Sequence, residues 1–336
     1  MPNLRALLSV TTLAAAAALL AGCAMPGSSE PAPERISELG PVPHPADNPA
    51  TPAKLALGAQ LFIDTRLSGS GKMACQSCHY RELGWTDAKP LSTKDDGGLN
   101  TRHTPSLYNV GYQTSWYWDG RATTLEGQVL AAWRGQIGAD PAKVAALLNT
   151  VPGYKSQFQA VYGSDATPDT IVKSLAAYLR TLVSTDAPWD KYEKGDRNAV
   201  SADAKQGFRL FMGKGKCAAC HTPPSFGNGG FHNIGLEGGK AKPDLGRFNV
   251  TKNEADTSAF KTPTLRSIAL SGPYFHDGSV KTLREAVKVM ASGGGNDPRK
   301  SPILTPTGLT EAEIDQVVAF LQTLTSTEPW VAPKLP

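Results

Sequence analysis

Two segments of the chain carry apolar residues at helical spacing behind an N-terminal capping signal. In the first, Thr167-Pro168 offers a capping hydroxyl and then proline in the opening turn. Ile171, Leu175, Tyr178, Leu179 and Leu182 follow on one face. In the second, Thr310-x-x-Glu313 is a capping box, and Ile314, Val317, Val318, Leu321 and Leu324 form the stripe. Both stripes predict helices packed on a core rather than functional surfaces. They also repeat one another: Ala177-Tyr178-Leu179-Arg180-Thr181-Leu182 is echoed by Ala319-Phe320-Leu321-Gln322-Thr323-Leu324, and Gly58-x-x-Leu61-Phe62 by Gly207-x-x-Leu210-Phe211. A duplicated helical unit is expected. Stretches such as Gly227 to Gly246 are glycine-rich and predict loops, so the fold class is all-α with long loops.

The N-terminus has a different pattern. Arg5 precedes an apolar run from Leu7 to Leu20, too short to span a bilayer comfortably and of the length of a signal-peptide core. Leu20-Ala21-Gly22-Cys23 resembles the lipobox of bacterial lipoproteins, which implies removal of residues 1–22 and a lipid anchor on Cys23. The plainer alternative is an ordinary signal peptide followed by a chance cysteine. Ala24 follows, not the aspartate associated with inner-membrane retention, so the expected location is the periplasm, anchored to the outer membrane. Residues 23–52 are proline-rich and read as a semi-extended tether. What remains divides into 53–196 and 197–336. The formal net charge of +4 gives no argument for nucleic acid.

Cysteine usage changes the picture most. Beyond Cys23, the chain has only Cys75, Cys78, Cys217 and Cys220, arranged as Cys75-Gln76-Ser77-Cys78-His79 and Cys217-Ala218-Ala219-Cys220-His221. This is c-type haem attachment spacing: two thiols add to the vinyl groups, and the next histidine reaches the iron. A redox dithiol or half a zinc site would use similar residues; two copies in an exported chain favour two covalently bound haems. The echoed helix begins 102 residues after the first cysteine in each half (75 to 177, 217 to 319). Two tandem cytochrome c-type domains, one haem each, are therefore expected.

The second axial position of each iron decides between electron transfer and chemistry. Of the five methionines, Met1 and Met25 precede the domains, while Met73 and Met212 sit just before the haem motifs. Met290 alone lies well downstream of a motif, and is either a core residue or the distal ligand of the second haem. No methionine is well placed for the first haem, which is either open or ligated by His103.

The chain resembles the bacterial di-haem cytochrome c peroxidases, a family that includes the methylamine dehydrogenase maturation enzyme MauG. The matching segments run from Leu61-Phe62-Ile63-Asp64-x-Arg66-Leu67-Ser68 through Thr104-Pro105-Ser106-Leu107-x-Asn109, Trp118-Asp119-Gly120-Arg121, Phe231-His232-Asn233-Ile234-Gly235 and Lys261-Thr262-Pro263-Thr264-Leu265-Arg266 to Pro273-Tyr274-Phe275-His276-Asp277-Gly278. The resemblance implies a peroxide-reacting N-terminal haem and an electron-entry C-terminal haem, fed by a monohaem cytochrome c or a cupredoxin. It implies that Met290 is the distal ligand, where MauG-type members carry tyrosine, and that Trp118, otherwise plain core, relays electrons between the haems. Gln128 matches the distal-pocket glutamine, and His232 and His276 read as hydrogen bonders near the second haem. Family members often form homodimers.

Three departures follow from the same alignment of motifs. The distal histidine of activation-requiring members would fall near Asp95, and none is there, which implies an open first haem. The distal glutamate is replaced by Gln136, whose amide cannot shuttle a proton. The asparagine that helps to hold an interdomain calcium is replaced by His103, a poor ligand for a hard cation, so calcium is doubtful and His103 reads as structural. The expected function is a hydrogen peroxide reductase. The alternatives are MauG-like oxidation of a protein or organic substrate, or a di-haem electron carrier without a substrate.

Overall fold

A computed structural model describes residues 34–336; the signal peptide, Cys23 and the first part of the tether lie outside the described residues. Ten helices appear among the described residues. The first half holds α1 (Pro52–Ile63), α2 (Leu125–Gly135), α3 (Pro141–Asn149), α4 (Pro152–Tyr162) and α5 (Pro168–Leu179). Then come α6 (Pro188–Glu193), α7 (Ala202–Met212), α8 (Phe248–Thr251), α9 (Leu283–Ala291) and α10 (Glu311–Gln322). The only ladder among the described residues is an antiparallel ribbon of β1 (Phe231–His232) and β2 (Phe260–Lys261), with Phe231 opposite Lys261. Both predicted helices form where their caps place them: Thr167 accepts from Thr170 N to open α5, and Thr310 from Glu313 N to open α10.

Each half is built on one helix crossing. α1 packs on α5, and α7 packs on α10. The echoed glycines sit at these crossings. A Cβ on Gly58 would overlap the Ser174 carbonyl oxygen of α5, and one on Gly207 would overlap the Gln316 carbonyl oxygen of α10. Only glycine lets the backbones approach so closely. Around each crossing lies a separate apolar core: Leu57, Leu61, Phe62, Trp85, Ile171 and Leu175 around the first, Phe211, Phe226, Val317, Phe320 and Leu321 around the second, which also takes in Trp189 from before residue 197. Full burial of such side chains is worth about 1.5–3 kcal/mol each.

Both ends of the described chain fold back on the body. The tether segment has no helix or strand from residue 34 to 51 and turns once, where Asn48 N donates to the Pro45 carbonyl, but it is anchored. Ser37 is 3% exposed and donates through Oγ to Glu193 and Asp190, and its carbonyl accepts from the buried Arg266. Asn48 is fully buried and donates to Glu126. After α10, the tail returns to the first half, where Gln60 Nε2 donates to the Lys334 carbonyl at 2.9 Å and Arg66 to that of Pro336 at 3.2 Å. From Thr327 onward the tail therefore contacts the opposite half from the one that precedes it in sequence.

Candidate functional site

Each Cys-x-x-Cys-His unit forms a single helical turn, Cys75–Ser77 or Cys217–Ala219, following the first helix of its half. The two histidines are held in the same way. His79 Nδ1 lies 2.7 Å from the Trp85 carbonyl, and His221 Nδ1 lies 3.0 Å from the Phe226 carbonyl. A carbonyl can only accept, so Nδ1 carries the proton and Nε2 is left as the ligand atom. The acceptor residues share three features. Both are aromatic, both are buried (2% and 0% exposed), and both hold a left-handed backbone, with φ of 61° and 53°. That turn aims the carbonyl back at the ring. Burial pulls both imidazoles down to about 4, so they are neutral at ordinary pH, as a metal ligand must be.

The thiols point the same way. Burial pushes Cys75 and Cys217 up to about 12. A redox dithiol or zinc ligand works as a stabilised thiolate, which these surroundings oppose. Thiols that end as neutral thioethers suit them well.

Both motifs open on one cavity with about 2670 Å³ of empty space, solvent at its mouth included. Cys78, His79, Cys217, Cys220, His221 and Met290 all line it. Among the described methionines only Met290 does so, from α9; Met73 packs on the first core, and Met212 is 43% exposed. Leu283, Ala286 and Val287 of α9 line the cavity with Met290, as do Leu309 and Leu321. Largely apolar space, thiols from both motifs, neutral imidazoles and one thioether fit two covalently held haems.

The first-half part of the cavity is lined by Gln128 on α2 and Gln136 at its C-terminal cap. Asp95, the position expected for a distal histidine, does not line the cavity; its carboxylate accepts from Ser70 N at 2.8 Å and Oγ. His103 does line it, and is 4% exposed. Its Nδ1 is 2.8 Å from the Lys89 carbonyl, and its backbone N donates to the His276 carbonyl at 2.7 Å, joining the two halves.

Trp118 stands beside this joint. Its Nε1 donates to the His103 carbonyl at 2.8 Å, while its own carbonyl accepts from Lys261 N at 2.8 Å. The turn after it depends on Gly120 (φ 68°), where a Cβ would overlap the Phe231 ring. Asp119 holds Arg102 and Arg121, and Arg102 also pairs with Asp244. The His276 ring lies edge-on to Trp118 at 6.5 Å and is stacked on Phe260 at 3.6 Å, and its Nε2 is 2.8 Å from Glu237. Glu237, His276 and Asp277 form the one acidic grouping among the described residues that could hold a metal ion. Lys240 already supplies its cation, 2.7 Å from Glu237 and 2.9 Å from Asp277. His232 lies by the second motif, with Nε2 3.5 Å from Cys220 Sγ.

Sequence reasoning missed several lining residues. Tyr117 (φ 67°) donates to the Gln128 carbonyl at 3.4 Å and carries the Arg121 guanidinium 3.5 Å above its ring. Lys261 is 9% exposed and donates to Gln113 and to the Ser115 carbonyl, and burial pulls its ammonium down to about 8. Trp85 and Phe226 had a usable signal, an aromatic residue six or five positions after each motif histidine.

A family model described as di-haem cytochrome c peroxidase matches residues 52–198, and one described as cytochrome c matches residues 204–325. The cytochrome-c peroxidase IdrP1 of Denitromonas iodatirespirans is 38% identical over 359 aligned positions, covering 96% of this chain and 95% of that one. The methylamine utilization protein MauG of Methylorubrum extorquens is 41% identical over 291 positions, covering 84% and 81%. The crystal structure of a MauG-like protein associated with microbial copper homeostasis matches with a TM-score of 0.81 at 30% identity, over 86% of this chain and 94% of that one.

Proposed function

Because the chain belongs to the di-haem cytochrome c peroxidase family and carries two covalent c-type haems, we propose that it reduces hydrogen peroxide at the first haem and takes electrons through the second. Cys75, Cys78 and His79 would hold the first haem. Cys217, Cys220 and His221 would hold the second, with Met290 as its sixth ligand. When bound, the haems supply the iron at which peroxide reacts and the store of oxidising equivalents; two electrons and two protons convert one peroxide into two waters.

One observation carries this reading: the only methionine lining the cavity among the described residues, Met290, comes from the second half, whereas the first half contributes no thioether and lines it with Gln128, Gln136 and a His103 tied to the Lys89 and His276 carbonyls. A thioether favours the ferrous state and suits electron entry, whereas amides leave room for an incoming oxidant. Gln128 and Gln136 orient peroxide or water by hydrogen bonding, but neither can pass a proton. Protons therefore arrive from solvent, and turnover is slower than a carboxylate in that pocket would give. Trp118, fixed through its indole N–H and its carbonyl, relays electrons between the halves. A monohaem cytochrome c or a cupredoxin is the donor. Adding peroxide to the purified oxidised holoprotein tests the assignment. The first-haem absorption must change and reduced cytochrome must then be consumed; an unaltered spectrum contradicts it.

The 41% identity to MauG of Methylorubrum extorquens favours a second reading, in which the same centres oxidise a protein or other organic substrate. Met290 counts against it. A covalently modified partner protein, with poor turnover of reduced cytochrome, would select it.

The working location is the periplasm, with Cys23 lipidated and anchored to the outer membrane, a reading supported by the apolar run and Leu20-Ala21-Gly22-Cys23. Cys23→Ala should move the protein from the membrane to the soluble periplasmic fraction. Sedimentation of the holoprotein distinguishes a monomer from the homodimer that the resemblance implies.

A further inference from the structure

The tail that returns from α10 places one indole over the proximal side of the first haem site. Trp330 lies edge-to-face with Trp85, ring centres 5.5 Å apart. Trp85 is the residue whose carbonyl holds His79 Nδ1, and its ring also meets Phe62 at 5.8 Å and Tyr108 at 6.5 Å. Trp330 Nε1 donates to the Tyr178 hydroxyl at 3.1 Å. Trp85 is 2% exposed, whereas Trp330 is only half-buried. Two indoles in contact therefore run from the residue that holds His79 to the protein surface.

Several contacts fix Trp330 there. Arg81 donates to the Glu328 carbonyl, Thr185 Oγ1 to Glu328 Oε1 at 2.6 Å, and Gln60 to the Lys334 carbonyl. Trp118 points to the other half, so the Trp85–Trp330 pair is a separate exit. Indoles are the side chains that, with tyrosine, give up an electron most readily, and edge-to-face contact leaves one short step between them.

We propose that Trp330 is a surface oxidation site, at which phenolic one-electron donors are oxidised through Trp85 without entering the cavity. The proposal rests on peroxide reacting at the first haem. Trp330 gives one electron, through Trp85, to the centre oxidised by peroxide. A phenol at the surface returns that electron to the indole and releases its proton to solvent, leaving a phenoxyl radical. Two such events supply the two electrons that turn one hydrogen peroxide into two waters, the phenolic protons balancing those consumed.

The test compares the holoprotein with Trp330→Phe and Trp330→Tyr, each turned over with peroxide and either guaiacol or reduced cytochrome c. Guaiacol turnover should fall at least tenfold in Trp330→Phe and be partly restored in Trp330→Tyr, while cytochrome turnover is unchanged in both. With peroxide and no donor, peptide mass spectrometry should find oxygen adducts concentrated on Trp330. Equal guaiacol turnover in Trp330→Phe, a parallel loss with both donors, or adducts spread over the tryptophans would overturn the proposal. Absence of cytochrome turnover in the unmutated protein would instead remove the peroxidase reading, and this proposal with it.

Discussion

The carbonyls of Trp85 and Phe226 do the same work in both halves: each accepts a hydrogen bond from the Nδ1–H of a histidine and leaves Nε2 free as a ligand atom. The halves differ in what stands elsewhere around the cavity, Met290 in one and Gln128 with Gln136 in the other. Between them, Trp118 is pinned by two backbone hydrogen bonds. If it is the relay, Trp118→Phe keeps an aromatic ring but loses the easily oxidised indole. Cytochrome-supported kcat should then fall about tenfold or more, at least ~1.4 kcal/mol in the barrier, with both haem spectra unchanged. Stopped-flow turnover with reduced cytochrome checks it, and an unaltered kcat would assign Trp118 to packing alone. At this scale, the two Cys-x-x-Cys-His units stood out by their spacing, which thioether attachment requires. The carbonyl acceptors left a fainter trace, an aromatic residue six or five positions after each histidine, while the left-handed turns at Trp85 and Phe226 that aim them are announced by no residue type; glycine would have signalled them.

At the scale of elements, the two crossings explain why the duplicated motif includes a glycine. α1 meets α5 over Gly58, and α7 meets α10 over Gly207. Gly58→Ala and Gly207→Ala should each destabilise the protein by about 1–3 kcal/mol or more, because the added methyl must push two helix backbones apart. That cost exceeds the helix-propensity gain of alanine, about 1 kcal/mol. Denaturant unfolding of the holoprotein measures it; a neutral or stabilising effect would contradict the close approach. Helices with caps were readable from the sequence, as Thr167 and Thr310 show. The shorter α8 and the ribbon were hidden in glycine-rich loops, where tertiary hydrogen bonds rather than periodicity decide the structure.

For the whole molecule, the halves were legible as a duplication, but their joining was not. The proline content of residues 23–52 predicts a tether and says nothing of where an extended strand docks. Only the structure shows Ser37 seated on Arg266, Asp190 and Glu193. The tail bearing Trp330 was equally unreadable, since it lies beyond the last periodic helix. The central claim concerns both halves together: one iron keeps a coordination place open while the other is closed by sulfur. Electron paramagnetic resonance of the oxidised holoprotein tests this most directly, alone and as Met290→Ala. The account predicts one high-spin and one low-spin ferric signal, the low-spin signal being altered or lost in the variant. Two low-spin signals in the unmutated protein, or a low-spin signal untouched by Met290→Ala, would contradict it.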